Sequence, residues 1–228
     1  NRADVVATIS DTTRRLMERH RLTRRPVRMV SNAPQPGTEP RDPAQHPEKS
    51  LLYMGSFMPY KNVETIVRGM DALPGYTLHL LSRISPVRRR ELEALCSDPS
   101  RVVFHNGVTD EEYDSLLRRA TALVSLSKAE GYGLPIIESM AAGTPVIAAD
   151  TPIFREVSGG AAVLVDAESC EGFARAVRSL SDPDRWREAS SAGLARAAAY
   201  DWDTSAHQLL DAAAEASRAF AARTRRKA

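Results

Sequence analysis

The sequence predicts an α/β fold: a Rossmann-like, doubly wound parallel sheet that follows a short remnant of another domain. Three observations predict it. From Leu51 onward, short apolar segments alternate regularly with helical segments. Several of these segments, such as LVSL at 123–126 and VIAA at 146–149, lack polar alternation, which is typical of strands buried on both faces. A proline-rich stretch separates this regular part from residues 1–36.

Residues 1–36 are predicted to form a strand, a helix and a second strand, at Asp4–Ile9, Thr12–His20 and Val27–Val30, with Ser10 as the helix N-cap. This part carries eight arginines and three acidic residues, a net charge of +5 within a chain of net charge +2. We expect either peripheral contact with an anionic membrane or acceptor, or an ordinary solvated helix face. No aromatic residues interleave with the arginines, so we expect no nucleic-acid partner.

The next segment, QPGTEPRDPAQHPEK at 35–49, has four prolines and few apolar side chains, which predicts a linker over 37–49. Residues 50–198 are predicted to form the Rossmann-like domain, and 199–228 a C-terminal helix. The predicted strands of that domain are Leu51–Met54, Tyr76–Leu81, Val102–His105, Leu123–Leu126, Val146–Ala149 and Ala162–Val165. The predicted helices are Val63–Met70, Pro86–Cys96, Asp110–Ala120, Pro135–Ala142, Ile153–Val157, Cys170–Leu180 and Pro183–Ala199.

Composition favours a cytoplasmic protein. No apolar run approaches the roughly 20 residues that span a bilayer, and no signal segment opens the chain. Cys96 and Cys170 lack ligand-like spacing, which predicts two reduced thiols and neither a disulfide nor a zinc site. The first residue is Asn rather than Met, so we expect a fragment or a processed chain.

The loop after Leu126 is the first candidate site, because ligands of doubly wound sheets bind at the carboxyl ends of the strands. The loop contributes Glu130, Gly131, Tyr132 and Gly133, and Leu134 and Pro135 then start a helix. The two glycines allow a sharp turn and a close approach of ligand to backbone. Amide groups at the start of this helix suit a diphosphate.

Two glutamates frame this helix start, Glu130 in the loop and Glu138 one turn into the helix, with seven residues between them. A carboxylate accepts hydrogen bonds from paired hydroxyls. Glu138 therefore suits a ribose diol, and Glu130 suits a hydroxyl of a sugar.

The segment EGYGLPIIESMAAGTPVIA at 130–148 resembles the Glu–seven residues–Glu motif of retaining glycosyltransferases of family 4, also called group 1. These enzymes have the two-domain GT-B fold, and the resemblance is to the C-terminal, donor-binding domain. It implies a nucleotide-diphosphate sugar as donor, transfer of a hexose such as mannose to an acceptor hydroxyl, and no cofactor or metal. It also implies a role in polysaccharide or glycolipid biosynthesis.

Two further segments resemble the same family. LLYMGSFMPYKN at 51–62 resembles the first strand and glycine-led loop of the family's donor domain. Gly55 and Ser56 would begin this loop, and the resemblance implies that Lys61 binds the diphosphate. Many members have an arginine where this chain has Ser56, so either Arg83 supplies the missing charge or the site has one cation. VVFHNGVTDEEY at 102–113 resembles the loop that holds the nucleotide base with backbone groups around Val108 to Asp110.

SNAP at 31–34 and DWDTSAHQLLDAA at 201–213 resemble the two crossings between the domains of these enzymes. Residues 1–36 would then close an N-terminal acceptor domain, the rest of which would hold a saccharide or lipid-linked acceptor. Two alternatives remain open: a non-catalytic nucleotide-sugar-binding module, and a sugar phosphorylase or epimerase on the same fold. The base and the sugar of the donor are not determined by these motifs.

Overall fold

The computed structural model describes residues 3–36, 39–42 and 47–225. The strands are β1 (Val6–Thr8), β2 (Val27–Met29), β3 (Ser50–Met54), β4 (Thr77–Leu81), β5 (Val102–His105), β6 (Ala122–Ser125), β7 (Val146–Ala149) and β8 (Val163–Val165). The α-helices are α1 (Asp11–Arg19), α2 (Val63–Gly69), α3 (Pro86–Glu93), α4 (Asp110–Arg119), α5 (Leu134–Ala141), α6 (Pro152–Ser158), α7 (Cys170–Ser179), α8 (Pro183–Ala197) and α9 (Trp202–Arg225). Short 3-10 turns lie at Pro59–Lys61, Met70–Ala72 and Pro99–Arg101.

These elements match the predicted ones within a few residues at each end. Helix α3 is one of those that are shorter than predicted, since it ends at Glu93 although the sequence pattern predicts a helix to Cys96. The chain turns out of the helix there because Cys96 and Ser97 bond to Asp71, at 3.4 Å from the thiol and 2.8 Å from the Ser97 amide.

The chain divides into two compact units, unit 1 (Asn1–Pro34 with Ala199–Ala228) and unit 2 (Gln35–Ala198). In unit 1, β1 and β2 pair in parallel, with Val6 opposite Val27. The hydroxyl of Ser10 caps α1 by accepting from the Thr13 amide at 3.1 Å, as its position before the helix predicts. The assignment of residues 1–36 to an acceptor domain stays a prediction.

Helix α9 belongs to unit 1 and is joined to the N-terminal residues by side-chain hydrogen bonds. The indole of Trp202 donates to the Pro34 carbonyl at 2.9 Å, and the Ser31 amide donates to Gln208 at 2.8 Å. The first two turns of α9 therefore pack beside residues 31–34, which follow β2.

Part of the basic charge of residues 1–36 is neutralised within unit 1. Arg14 pairs with Asp11 and Glu18 on α1, and Arg28 makes a two-pronged pair with Glu215 at 2.8 Å. Asp4 also pairs with Arg25, at 3.8 Å. These pairs reduce the basic surface that the arginine count predicts, and Arg2 lies outside the described residues. Contact with an anionic membrane stays a prediction, and within the described ranges no helix has the length and apolar character needed to cross a bilayer.

Unit 2 contains one six-stranded sheet in the order β5-β4-β3-β6-β7-β8, and every pair is parallel. Chain order runs outward from β3 to β5, returns through α4 to the other side of β3, and continues to β8. The order of the strands reverses between β3 and β6, and ligands of such sheets bind beyond the carboxyl ends of the strands at this reversal, a place that we name the switch-point crevice. The predicted Rossmann-like α/β fold is confirmed.

The sheet is buried on both faces, as its uninterrupted apolar strands predict. Leu51 and Tyr53 of β3 pack in one cluster with Ile66 of α2 and Phe173 of α7. Leu52 points to the opposite face and is fully buried as well. Strand β3 is thus held rigidly in the middle of the sheet, directly beside the crevice.

The stretch predicted as a linker is attached to unit 2 at Arg41, which is only 6% exposed. Its amide donates to the Ala142 carbonyl at 3.0 Å, and its guanidinium lies 4.5 Å from the Trp186 ring centroid. A guanidinium over an indole face gains both packing and cation–π attraction. Residues 37, 38 and 43–46 of this stretch lie outside the described residues.

Candidate functional site

The loop after β3 is shaped by two side chains that the motif does not include. The Tyr53 hydroxyl donates to the Ser56 carbonyl at 2.6 Å, which fixes the turn around Gly55. Asn62 has a left-handed backbone (φ 55°), and its buried amide donates to the carbonyls of Leu126 and Ala167 at 3.2 and 2.6 Å. Asn62 therefore ties the β3 loop to the loops after β6 and β8, and sets the position of its neighbour Lys61.

Lys61 and Glu130 form an ion pair in the switch-point crevice. Lys61 ends the turn after β3, and Glu130 lies in the loop after β6. The ammonium and a carboxylate oxygen are 2.5 Å apart, and the two side chains are 16% and 14% exposed. The sequence predicts that these residues bind different parts of one ligand, and the fold brings them into direct contact. Each compensates the charge of the other.

Helix α5 starts at the edge of this crevice, after Gly133. Gly133 has a φ of +96°, and a Cβ placed on it would lie 2.9 Å from the Phe154 ring of α6. Both the backbone conformation and the lack of space require glycine here. Pro135 follows in the first helical turn, where its missing N–H costs no hydrogen bond.

The other residues of this loop differ in exposure. Gly131 is exposed and Leu134 is 38% exposed, so backbone at the helix start is accessible from solvent. Tyr132 is only 5% exposed and belongs to the core. The predicted binding role of Tyr132 is therefore limited to its backbone, because its side chain anchors the loop.

Glu138 lies on α5 beside a separate hollow, which we name the Glu138 pocket. The pocket has a volume of about 470 Å³ and is lined by Gln35, Pro36, Glu39, Met54, Asp110, Glu111, Tyr113, Asp114, Leu117, Arg118 and Glu138. Tyr113 of α4 donates its hydroxyl hydrogen bond to Glu138 Oε2 at 3.0 Å. Met54 is the last residue of β3, so this pocket opens near the carboxyl edge of the sheet.

Burial raises the pKa of the Glu138 carboxyl above its ordinary value, and the charge of Asp110 acts in the same direction. The Tyr113 hydroxyl opposes this rise, because a donated hydrogen bond favours the ionised carboxylate. Burial and the neighbouring Glu138 charge in turn raise the pKa of Tyr113. Tyr113 is consequently a neutral donor at physiological pH.

The remaining predicted residues lie around these two centres. Asp110 lines the Glu138 pocket, whereas Val108 lines a neighbouring hollow of about 350 Å³ with His105. The two ends of the predicted base-binding loop thus face different hollows. Ser56 is exposed after β3, and Arg83 is exposed in the loop after β4, next to β3 at the same edge of the sheet. The binding roles of these four residues stay predictions.

Tyr113 and Asn62 are the functional candidates that the motif analysis does not identify. Tyr113 lies in the predicted α4 segment, and an aromatic residue near a helix start is usually interpreted as core. Asn62 follows Lys61, and a left-handed Asn before a helix could be anticipated from its tolerance of positive φ. Its two long-range acceptors could not, because they depend on strand order.

Two Asp-x-Asp spacings occur in the sequence, Asp182–Asp184 and Asp201–Asp203. Asp182 caps α8 by accepting from the amides of Asp184 and Arg185 at 2.9 and 3.1 Å, and Asp201 accepts from the Thr204 amide at 2.8 Å. These carboxylates are helix caps. The described residues contain no cluster of three or more metal-ligating side chains, and the expectation of metal independence stays a prediction.

Comparison with known proteins bears on this arrangement. The sequence profile of the family described as "Glycosyl transferases group 1" matches residues 48–182, which include Lys61, Glu130 and Glu138. The chain belongs to this family. The O-antigen chain mannosyltransferase B of Escherichia coli is 31% identical over 170 residues, covering 71% of this chain and 44% of that protein. The chain spans about half the length, or less, of the curated relatives it matches.

Solved structures of other proteins have the same fold. Sucrose-phosphate synthase from Thermosynechococcus elongatus is 26% identical with a TM-score of 0.82, covering 96% of this chain and 59% of that one. Anabaena Alr3699/HepE, solved in complex with UDP and glucose, is 17% identical with a TM-score of 0.81, covering 92% and 63%. Both likenesses agree with the predicted Rossmann-like α/β fold of GT-B structures.

Proposed function

We propose that this group 1 chain forms the donor site of a metal-independent, retaining hexosyltransferase of family 4. The donor is a nucleoside-diphosphate sugar, with mannose the favoured hexose because an O-antigen mannosyltransferase is among its relatives. The observation that carries the proposal is the Lys61–Glu130 pair, placed at the switch-point crevice beside the start of α5. A cation, a hydroxyl acceptor and a helix N-terminus at one point suit a sugar diphosphate.

In this proposal the diphosphate replaces Glu130 as the partner of Lys61. The ammonium and the α5 amides then offset the charge that develops on the leaving diphosphate. Glu130, released from Lys61, accepts a hydrogen bond from a hydroxyl of the transferred sugar. Glu138 accepts the ribose hydroxyls in the Glu138 pocket, near the loop proposed to hold the base.

The proposed transfer occurs on one face of the sugar. The bond from the anomeric carbon to the phosphate oxygen breaks, and the acceptor oxygen bonds to the same carbon on the same side. The acceptor proton passes to the departing phosphate oxygen. No protein nucleophile is required, so the residues of this chain act by orientation and charge stabilisation.

Because the chain spans less than half of the mannosyltransferase that it resembles, we propose that it binds the donor alone and transfers the sugar only with an acceptor-binding part. A saccharide or lipid-linked acceptor would be held there. A binding module without catalysis is the second candidate, favoured by the same short coverage. Transfer activity of a longer chain that includes this sequence distinguishes the two.

The test of the donor site is nucleotide binding to Glu138→Ala. We expect this variant to lose about 1–3 kcal/mol of affinity for a nucleoside diphosphate, the range for leaving buried hydrogen-bonding groups unpaired. A thermal-shift screen with UDP-, GDP- and ADP-sugars first selects the nucleotide, and isothermal titration calorimetry then measures its affinity. Glu188→Ala, an exposed glutamate of α8, is the matched control. Equal affinity of Glu138→Ala and the unchanged chain would contradict the role of Glu138.

A further inference from the structure

Tyr113 makes the one described hydrogen bond between α4 and the carboxylate of Glu138. Its hydroxyl lies 3.0 Å from Oε2, and its ring lies in the wall of the Glu138 pocket. The side chain of Glu138 has several rotatable bonds, so a fixed donor on the neighbouring helix limits where the carboxylate can point. The hydrogen bond occupies one oxygen and leaves further acceptor capacity on the carboxylate, which has about four lone-pair positions.

The charges around Glu138 do not otherwise favour its ionised form. Burial and Asp110 raise the pKa of its carboxyl, and among the described residues the Tyr113 hydroxyl is the group that lowers it. Arg118 is the cationic residue in the described wall of the pocket, and it pairs with Asp114 at 2.5 Å. The other charged groups facing the pocket are acidic: Asp110 and Glu111 of α4, and Glu39 of the chain before β3.

We propose that Tyr113 is a positioning residue for the donor nucleotide: it aims the Glu138 carboxylate into the pocket and favours its ionised form. The inference rests on the proposed function and deepens it, since it assigns a role to a residue outside the glutamate motif. Tyr113 acts through Glu138 and need not contact the nucleotide.

The direction of the expected effect follows from the hydrogen bond. Phe at position 113 keeps the ring and its packing but removes the donor, so the pKa of Glu138 rises further. The carboxylate is then protonated at a higher pH, and its capacity to accept two ribose hydroxyls is lost at a higher pH. Nucleotide affinity of Tyr113→Phe should fall below that of the unchanged chain, and the difference between the two should grow as the pH decreases.

The experiment is calorimetric titration of the 228-residue chain with UDP, GDP and ADP across about pH 5 to 8, at constant ionic strength. We expect Tyr113→Phe to bind the preferred nucleotide about three- to tenfold more weakly at the acid end, with the midpoint of affinity against pH displaced upward. Tyr76→Phe is the matched control, because Tyr76 is a buried tyrosine immediately before β4, at the opposite edge of the sheet. Its midpoint should equal that of the unchanged chain.

The outcomes separate this inference from the proposed function. The proposed function fails if the unchanged chain binds no nucleotide. It also fails if Glu138→Ala and the unchanged chain bind the nucleotide with equal affinity. If Glu138→Ala weakens binding but Tyr113→Phe keeps the original midpoint, or weakens binding equally at every pH, the inference on Tyr113 fails. A second route uses Glu138→Gln, which cannot titrate. Adding Tyr113→Phe to it should leave the pH profile unchanged, and a displaced midpoint in that background would also overturn the inference.

Discussion

Glu130 and Glu138 belong to one motif, yet the fold gives them opposite surroundings. Glu130 lies against the full positive charge of Lys61, and both side chains are largely shielded from solvent. Glu138 has a neutral hydroxyl as its partner and acidic neighbours around its pocket. The comparison shows that motif spacing does not determine electrostatic role. The charge of Glu130 is compensated by Lys61, whereas burial destabilises the ionised form of Glu138.

The strongest way to break this comparison is Lys61→Met, which leaves Glu130 charged without its partner. We expect the free energy of unfolding to fall by about 3 kcal/mol, the lower end of the range for breaking a buried pair. Urea denaturation measures it. The matched control is Lys128→Met, because Lys128 pairs with Glu168 at 2.6 Å but the side chains are 47% and 74% exposed. That exposed pair should contribute less than about 1 kcal/mol, and equal losses would refute the difference in shielding.

Gly133→Ala tests the turn that connects the two glutamates, since Gly133 lies between Glu130 in the loop and Glu138 on α5. We expect a loss of about 2 kcal/mol, because alanine is strained at this φ and its Cβ meets Phe154. Gly75→Ala is the control: Gly75 has a φ of +81°, and no atom lies within 4 Å of the position that a Cβ would take there. It should lose about 1 kcal/mol from backbone strain alone. If Gly133→Ala lowers the free energy of unfolding no more than Gly75→Ala does, the Phe154 ring can move away from the added Cβ at little energetic cost.

The smallest expected effect is a change in the free energy of unfolding that has opposite signs for substitutions of Glu138 and Glu130. Burial raises the pKa of Glu138, so its carboxyl stabilises the fold when protonated, and that contribution is lost as pH rises through the folded-state pKa. Glu138→Gln removes this titration and should raise the free energy of unfolding at pH 7 by roughly 0.5–1 kcal/mol. The gain should vanish near pH 4, where Glu138 is protonated. Glu130→Gln should instead lower stability at pH 7, and a gain there would contradict the comparison.

Short apolar strands and helix signals were sufficient to predict the order of the elements, because each is encoded by local spacing. The left-handed turn at Gly133 was also predictable, since EGYGLP combines glycines with a helix-starting proline. The Lys61–Glu130 and Tyr113–Glu138 contacts were not, because the first joins loops of two non-consecutive strands and the second joins two helices. The burial of Arg41 within a proline-rich stretch could not be predicted either, because it depends on contact with Trp186 of α8, which is distant in sequence.

The strand order also has a kinetic consequence. Strand β3 pairs with β4 early in the chain, but its other neighbour β6 arrives about 70 residues later. Closing so long a loop is entropically costly, and contacts of large sequence separation form slowly. Lys61 and Glu130 follow these two strands, so they cannot meet until the long-range pairing is complete. We therefore expect the switch-point crevice to form late in folding, when β6 pairs with β3.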